Sequence, residues 1–120
     1  MKKLGEIFGT GIPDNDGFNY GVEIELEGIE RGIAGLRYWN QEQDGSLRDN
    51  GREFIFKSPY NIEESTLALT ELKNAFKDRD IKPKATNLTS THIHVDVRDL
   101  TVQQLLNFVA CIMVVEDDLA

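Results

Sequence analysis

The chain has 120 residues, of which 40% are apolar, and its formal net charge is −8. This length fits one domain with a modest core. An acidic chain without a cluster of Lys and Arg argues against nucleic-acid binding, because phosphate contacts need such a cluster. The single cysteine, Cys111, excludes an internal disulfide and favours a reducing cytoplasm. The longest apolar run, residues 105–115, is too short to cross a bilayer, so no membrane partner is expected.

The amino-terminal segment, residues 1–19, is rich in Gly, Asp and Asn and is predicted to be mostly loop. Residues 20–27 then alternate between apolar and acidic side chains, which is typical of a half-buried strand. The acidic face carries Glu23, Glu25 and Glu27. Such a row is either the solvated face of an edge strand or a functional surface, and both interpretations stay open at this point.

Two further strands are predicted over residues 36–43 and 52–57, with a turn at Asp44-Gly45 between them. Glu53 lies on the face of its strand opposite to two phenylalanines. The turn permits an antiparallel pair, so the sheet is expected to be mainly antiparallel.

Helices are predicted over residues 61–80 and 101–118, and each begins with the residue types of a capping box. Residues 81–90 are predicted to be a loop that leads into a strand over residues 92–97. The expected fold is therefore α+β, a mainly antiparallel sheet with helices packed on one face.

The strand over residues 92–97 places His92, His94 and Asp96 on one face, because side chains two positions apart point the same way. If this strand lies beside those of Glu23 and Glu53, imidazoles and carboxylates converge on one surface. A convergent acidic cluster repels itself unless cations neutralise it.

The expected cation is magnesium or manganese. A structural zinc site usually takes four Cys or His ligands, and the chain has only two histidines. Carboxylates with an occasional imidazole suit Mg²⁺ or Mn²⁺, whose coordination substrate phosphates complete. A metal hydrolase is a weaker alternative, because the sequence lacks a third His and a His-Glu pair on a helix.

Four motifs in the same order resemble the amidoligase family, a group of glutamine-synthetase-like carboxylate–amine or ammonia ligases. The resemblance covers the chain from about residue 20 onward. The motifs are Gly21-Val22-Glu23-Ile24-Glu25, Asp44-Gly45-Ser46-Leu47 with Gly51 and Glu53, Ser58-Pro59, and His92-Ile93-His94-Val95-Asp96.

This resemblance implies the catalytic half of a glutamine-synthetase-like fold, in which an antiparallel sheet forms one wall of a funnel. It implies a reaction in which ATP and Mg²⁺ (or Mn²⁺) activate a carboxylate as an acyl phosphate, which an amine attacks. The substrates would be a small-molecule or peptide carboxylate and an amine. The implied roles are metal ligation by Glu23, Glu25, Glu53 and His94, catalytic contacts by His92 and His94, and nucleotide or substrate binding by Asp44 and Ser46.

The chain departs from the family after its last predicted helix. Members of the family continue beyond that helix and supply arginines for the phosphates, whereas this sequence stops at Ala120. The chain is therefore expected to be an incomplete, amino-terminal amidoligase-like domain. Residues 108–115 are apolar nearly all round, which predicts that a partner or a missing segment covers helix 101–118. The alternative function is a non-catalytic interaction module derived from such a ligase.

Overall fold

The computed structural model describes residues 1–13, 17–43 and 50–119, with side chains described as far as residue 114. The chain divides into two compact units, Met1–Gly17 with Asp96–Ala120, and Phe18–Val95. The predicted α+β class is confirmed. The elements in chain order are α1 Leu4–Ile7, β1 Tyr20–Leu26, β2 Trp39–Gln43, β3 Arg52–Phe56, α2 Ile62–Asp78, β4 Thr91–Val95 and α3 Val102–Leu119.

The unit Phe18–Val95 contains a four-stranded sheet with the order β2-β3-β1-β4. Every neighbouring pair is antiparallel, which confirms the predicted type of sheet. The acidic strand β1 lies inside the sheet, between β3 and β4. The interpretation of its glutamates as the solvated face of an edge strand is therefore wrong.

Helix α2 covers the apolar face of this sheet. Phe54 is completely buried, and its ring meets the ring of Phe76 edge-on at 5.6 Å between centroids. The Trp39 indole Nε1 donates a hydrogen bond of 2.8 Å to the Ala68 carbonyl oxygen. Ala68 and Ala75 are both buried in α2, and such small side chains let the helix approach the aromatic residues closely.

The ends of α2 follow from local hydrogen bonding. The Asn61 side chain accepts a hydrogen bond of 2.8 Å from the Glu64 backbone N–H, which caps the first turn as predicted. The helix ends at Asp78, and Asp80 takes a left-handed conformation with φ of 52°. A left-handed residue is a common way to terminate a helix.

Strand β2 begins three residues later than the predicted start at residue 36. The reason is that the backbone N–H groups of Arg37 and Tyr38 donate to the Glu71 carboxylate, at 2.8 and 3.1 Å, instead of extending the strand. Leu36 is nevertheless buried in the core.

The other unit contains α1 and α3. The predicted capping box at α3 is confirmed, because the Thr101 N–H donates to Gln104 Oε1 at 2.9 Å and the Gln104 N–H donates to Thr101 Oγ1 at 3.2 Å. The amino-terminal segment, predicted to be mostly loop, includes the short helix α1. Along α3 several apolar side chains are exposed, with Met113 at 65%. Among the described residues, no helix has the length and apolar character that crossing a membrane requires.

Candidate functional site

The register between β1 and β4 brings the predicted polar residues of these strands together. Glu23 lies directly opposite His92, and His94 lies opposite Gly21. Residues opposite each other in an antiparallel pair share one face of the sheet, so both imidazoles reach the same carboxylate. Glu23 Oε2 lies 3.3 Å from His92 Nδ1 and 3.4 Å from His94 Nε2. We call these three side chains the Glu-His cluster.

The absence of a side chain at Gly21 leaves space for the His94 ring. A Cβ added at Gly21 would lie 3.5 Å from His94 Cβ and 3.8 Å from its ring atom Cδ2, which is ordinary van der Waals contact. A larger side chain would compete with the imidazole for this space. The missing side chain therefore lets His94 lean diagonally across the strand pair towards Glu23.

The two imidazoles stabilise the charged form of Glu23. Hydrogen bonding to His94, and then to His92, holds the pKa of the Glu23 carboxyl below its usual value, although burial acts in the opposite direction. The cluster is open to solvent, because 56% of the His92 side chain and 68% of the His94 side chain are exposed. Solvent therefore screens these charges, and a ligand can reach them.

Ser90 belongs to this surface, although sequence reasoning did not identify it. Its Oγ lies 3.4 Å from His92 Nε2, and its carbonyl oxygen accepts a hydrogen bond of 2.9 Å from the Glu25 N–H. A serine in a polar loop gives no distinctive signal in a sequence. Its role depends on the register that brings it beside β1.

A row of carboxylates crosses the sheet next to the Glu-His cluster. Glu25 faces Glu53 across β1 and β3, and Glu53 faces Glu42 across β3 and β2. The structure therefore brings the predicted residues Glu25 and Glu53 together and adds Glu42. Glu42 could not be predicted without the register of β2 against β3.

Glu27 departs from the exposed acidic row. Only 3% of this residue is exposed, and the Thr86 hydroxyl donates a hydrogen bond to Glu27 Oε1. Backbone bonds with Lys84, of 2.9 and 3.0 Å, place the segment after α2 beside it. Its other oxygen, Oε2, is buried without a hydrogen-bond partner among the described residues.

Asp96, predicted on the same face as the two histidines, lies beyond the carboxyl end of β4. Its carboxylate pairs with Arg98, with Oδ2 2.7 Å from Nη2. Of the remaining predicted site residues, Asp44 and Ser46 lie outside the described residues.

A cleft of about 290 Å³ borders the Glu-His cluster. Lys57 lies in its wall, and its Nζ donates a hydrogen bond of 3.0 Å to the Leu36 carbonyl oxygen. The cleft therefore has carboxylate and imidazole groups in its walls, whereas the Lys57 ammonium is held by the Leu36 carbonyl oxygen. Its lining residues are Gly21, Val22, Glu23, Ile55, Phe56, Lys57, Ser58, Pro59 and His94.

In the described part of the chain, no three His, Cys, Asp or Glu side chains are arranged so that they could hold a metal ion. No protein-family model, curated protein or solved structure matches the chain. The resemblance to amidoligases therefore stays a prediction.

Proposed function

We propose that the chain is the metal- and phosphate-binding wall of an ATP- and Mg²⁺-dependent carboxylate–amine ligase. The observation that carries this proposal is the Glu-His cluster, in which one carboxylate oxygen lies within 3.4 Å of two imidazole nitrogens on an open sheet face. The neighbouring Glu25–Glu53 pair gives the same face a concentration of negative charge. A surface with anionic ligands and nitrogen donors suits phosphates that arrive with a divalent cation.

The donor set fits Mg²⁺ or Mn²⁺ by its chemistry. Both hydrogen bonds of the Glu-His cluster involve Glu23 Oε2, which leaves Oε1 for a cation. Glu25 and Glu53 face each other across β1 and β3, where a bound cation would meet two carboxylate groups. Glu23, Glu25, Glu53 and His94 would hold the ion, which supplies charge neutralisation for the phosphates when bound. These groups do not converge in the described arrangement, so binding requires side-chain movement.

The side chains of the cleft account for the rest of the proposed chemistry. A carboxylate is a poor electrophile, and its phosphorylation creates a leaving group that an amine can displace with release of phosphate. His92 would contact the phosphoryl oxygens, His94 would contact them through the cation that it holds, and Glu23 orients both rings. Lys57 also lines the cleft, and its ammonium would leave the Leu36 carbonyl oxygen to contact a phosphate. Nucleotide or substrate contacts by Asp44 and Ser46 are part of the proposal on the resemblance alone.

The test is ADP release by the full-length protein with Mg²⁺, ATP, a panel of carboxylates and a panel of amines. We expect release that requires both the metal and the amine. Glu23→Gln and His94→Gln should abolish it. The matched control is Glu30→Gln, which removes the charge of an exposed glutamate that does not line the cleft. Full turnover by Glu23→Gln would contradict the metal assignment.

A second candidate is a non-catalytic interaction module derived from such a ligase. Helix α3 favours it, because Leu106, Ile112 and Met113 are 59%, 49% and 65% exposed. Exposed apolar groups of this kind mark contact surfaces. This candidate predicts that titration calorimetry detects no binding of Mg²⁺–ATP to the chain. Saturable binding, competed by ADP, would contradict it.

A further inference from the structure

The segment between Lys84 and β4 forms a bulge beside β1. Thr91 pairs with Ile24, and Lys84 pairs with Glu27. Between these two pairs, residues 25–26 on the β1 side therefore lie opposite residues 85–90. The extra residues cannot remain in register with β1, so they must loop out of the sheet. We call residues 85–90 the 85–90 bulge.

Two threonines close the 85–90 bulge. The Thr86 N–H donates to Thr89 Oγ1 at 2.9 Å, and the Thr89 hydroxyl donates back to the Thr86 carbonyl oxygen at 2.9 Å. The Leu88 N–H donates to Thr86 Oγ1 at 3.2 Å. These reciprocal bonds give the bulge a defined shape.

Glu27 anchors the bulge to the end of β1. Its Oε1 accepts the Thr86 hydroxyl, so the hydroxyl that accepts from Leu88 is also tied to a buried carboxylate. Glu27 Oε2 has no partner among the described residues. Burying a carboxylate with one unsatisfied oxygen costs free energy, so packing alone does not explain a glutamate here. Its hydrogen bond to Thr86 gives it a geometric role.

The carboxyl end of the 85–90 bulge places Ser90 beside the Glu-His cluster. The Ser90 carbonyl accepts the Glu25 N–H at 2.9 Å, and Ser90 Oγ lies 3.4 Å from His92 Nε2. We infer that Glu27 and Thr86 are positioning residues, which hold the 85–90 bulge so that Ser90 orients the His92 ring. The positioning of Ser90 and the His92 ring does not depend on the proposed ligase function, whereas its effect on turnover rests on that function.

This positioning is tested by two-dimensional NMR of the whole chain carrying Thr86→Val. This substitution keeps the side-chain shape and removes the hydroxyl. We expect shifted amide resonances at Ser90 and His92 and faster amide exchange across the bulge. Thr86→Ser should restore the wild-type spectrum. The control is Thr70→Val, which removes a hydroxyl that donates to the Thr66 carbonyl within α2. Wild-type Ser90 and His92 resonances in Thr86→Val would overturn the inference.

If Thr86→Val does not fold, Ser90→Ala tests the other end of the same connection. We expect the His92 ring resonances to shift while those of buried core residues stay unchanged. Unchanged His92 ring resonances would overturn the inference in this case too.

The consequence for turnover is measured in the ligase assay. A misplaced reacting group lowers the rate more than it weakens substrate binding, so Thr86→Val should lower kcat about 10-fold with a smaller change in KM. Equal losses in Thr86→Ser would contradict a role for the hydroxyl. The NMR measurement needs no turnover, so failure of the ligase proposal and failure of this inference give different results.

Discussion

Different interactions determine the two faces of the sheet in the unit Phe18–Val95. The face under α2 is held by burial of apolar side chains such as Phe54, which is completely buried. Burial has no preferred direction, so strict alternation along each strand is enough to define this face. The opposite face depends on which polar side chains meet, and Glu23 meets His92 only in one register. The fold can thus be predicted from the alternation of apolar residues along each strand, whereas the site depends on the register between neighbouring strands.

The largest expected effect comes from the apolar face. Phe54→Ala should lower the free energy of unfolding by about 3–5 kcal/mol, because it removes a fully buried aromatic ring and leaves a cavity. Urea denaturation measures this loss. Ile55→Ala is the matched control on the next residue, which is only partly buried and faces the other way. Equal losses in the two variants would contradict the contrast between the faces.

Because alternation along each strand defines the apolar face, this face could be predicted from the sequence. Alternation predicted β1 and β3, and the Asn61 cap predicted the start of α2. The error at the start of β2 arises because tertiary hydrogen bonds intervene. Strand β2 starts late because Glu71, which is more than 30 residues away along the chain, accepts from the backbone at Arg37.

The polar face was only partly predictable. The sequence identified Glu23 and His92 as residues of polar strand faces, but not as direct partners. Their register depends on the 85–90 bulge, which lacks a periodic pattern. The same bulge buries Glu27, which alternation alone places in the exposed row.

The next effect is on the geometry of the Glu-His cluster. Gly21→Val should displace the His94 ring and cost about 1 kcal/mol of stability, because its branched side chain needs the space that the ring occupies. Gly21→Ala should be tolerated, since an added Cβ makes only ordinary contact. NMR shifts of the His94 ring and thermal unfolding measure both effects. A wild-type His94 spectrum in Gly21→Val would show that Gly21 does not determine the ring position.

A smaller effect is expected in the acid stability of the protein. The pKa of Glu23 is lowered from 4.5 in the folded state, mainly by its hydrogen bonds to His94 and His92. This interaction therefore stabilises the fold above pH 4.5, and the contribution is lost as the pH falls through the lower folded pKa. Glu23→Gln should remove this part of the acid dependence of unfolding. Salt should also weaken it, because the cluster is exposed.

The comparison for this measurement is Glu30→Gln, since Glu30 is an exposed glutamate outside the Glu-His cluster. Its unfolding curve against pH should follow the wild-type curve. If Glu23→Gln and the wild type lose stability in parallel below pH 4.5, the two imidazoles do not stabilise the Glu23 carboxylate.

The smallest expected effect separates a cation site from an ordinary acidic surface. Glu25→Gln removes one carboxylate of the row that crosses the sheet, and with it one candidate ligand of the ion. Added Mg²⁺ should stabilise the wild type, because an ion that binds only the folded state shifts the folding equilibrium. It should stabilise Glu25→Gln less. Equal stabilisation of both proteins, measured against NaCl of equal ionic strength, would show that Glu25 does not bind the ion. A gain confined to the wild type would mean that the row of carboxylates is part of a binding site, since the ion would then depend on the Glu25 carboxylate.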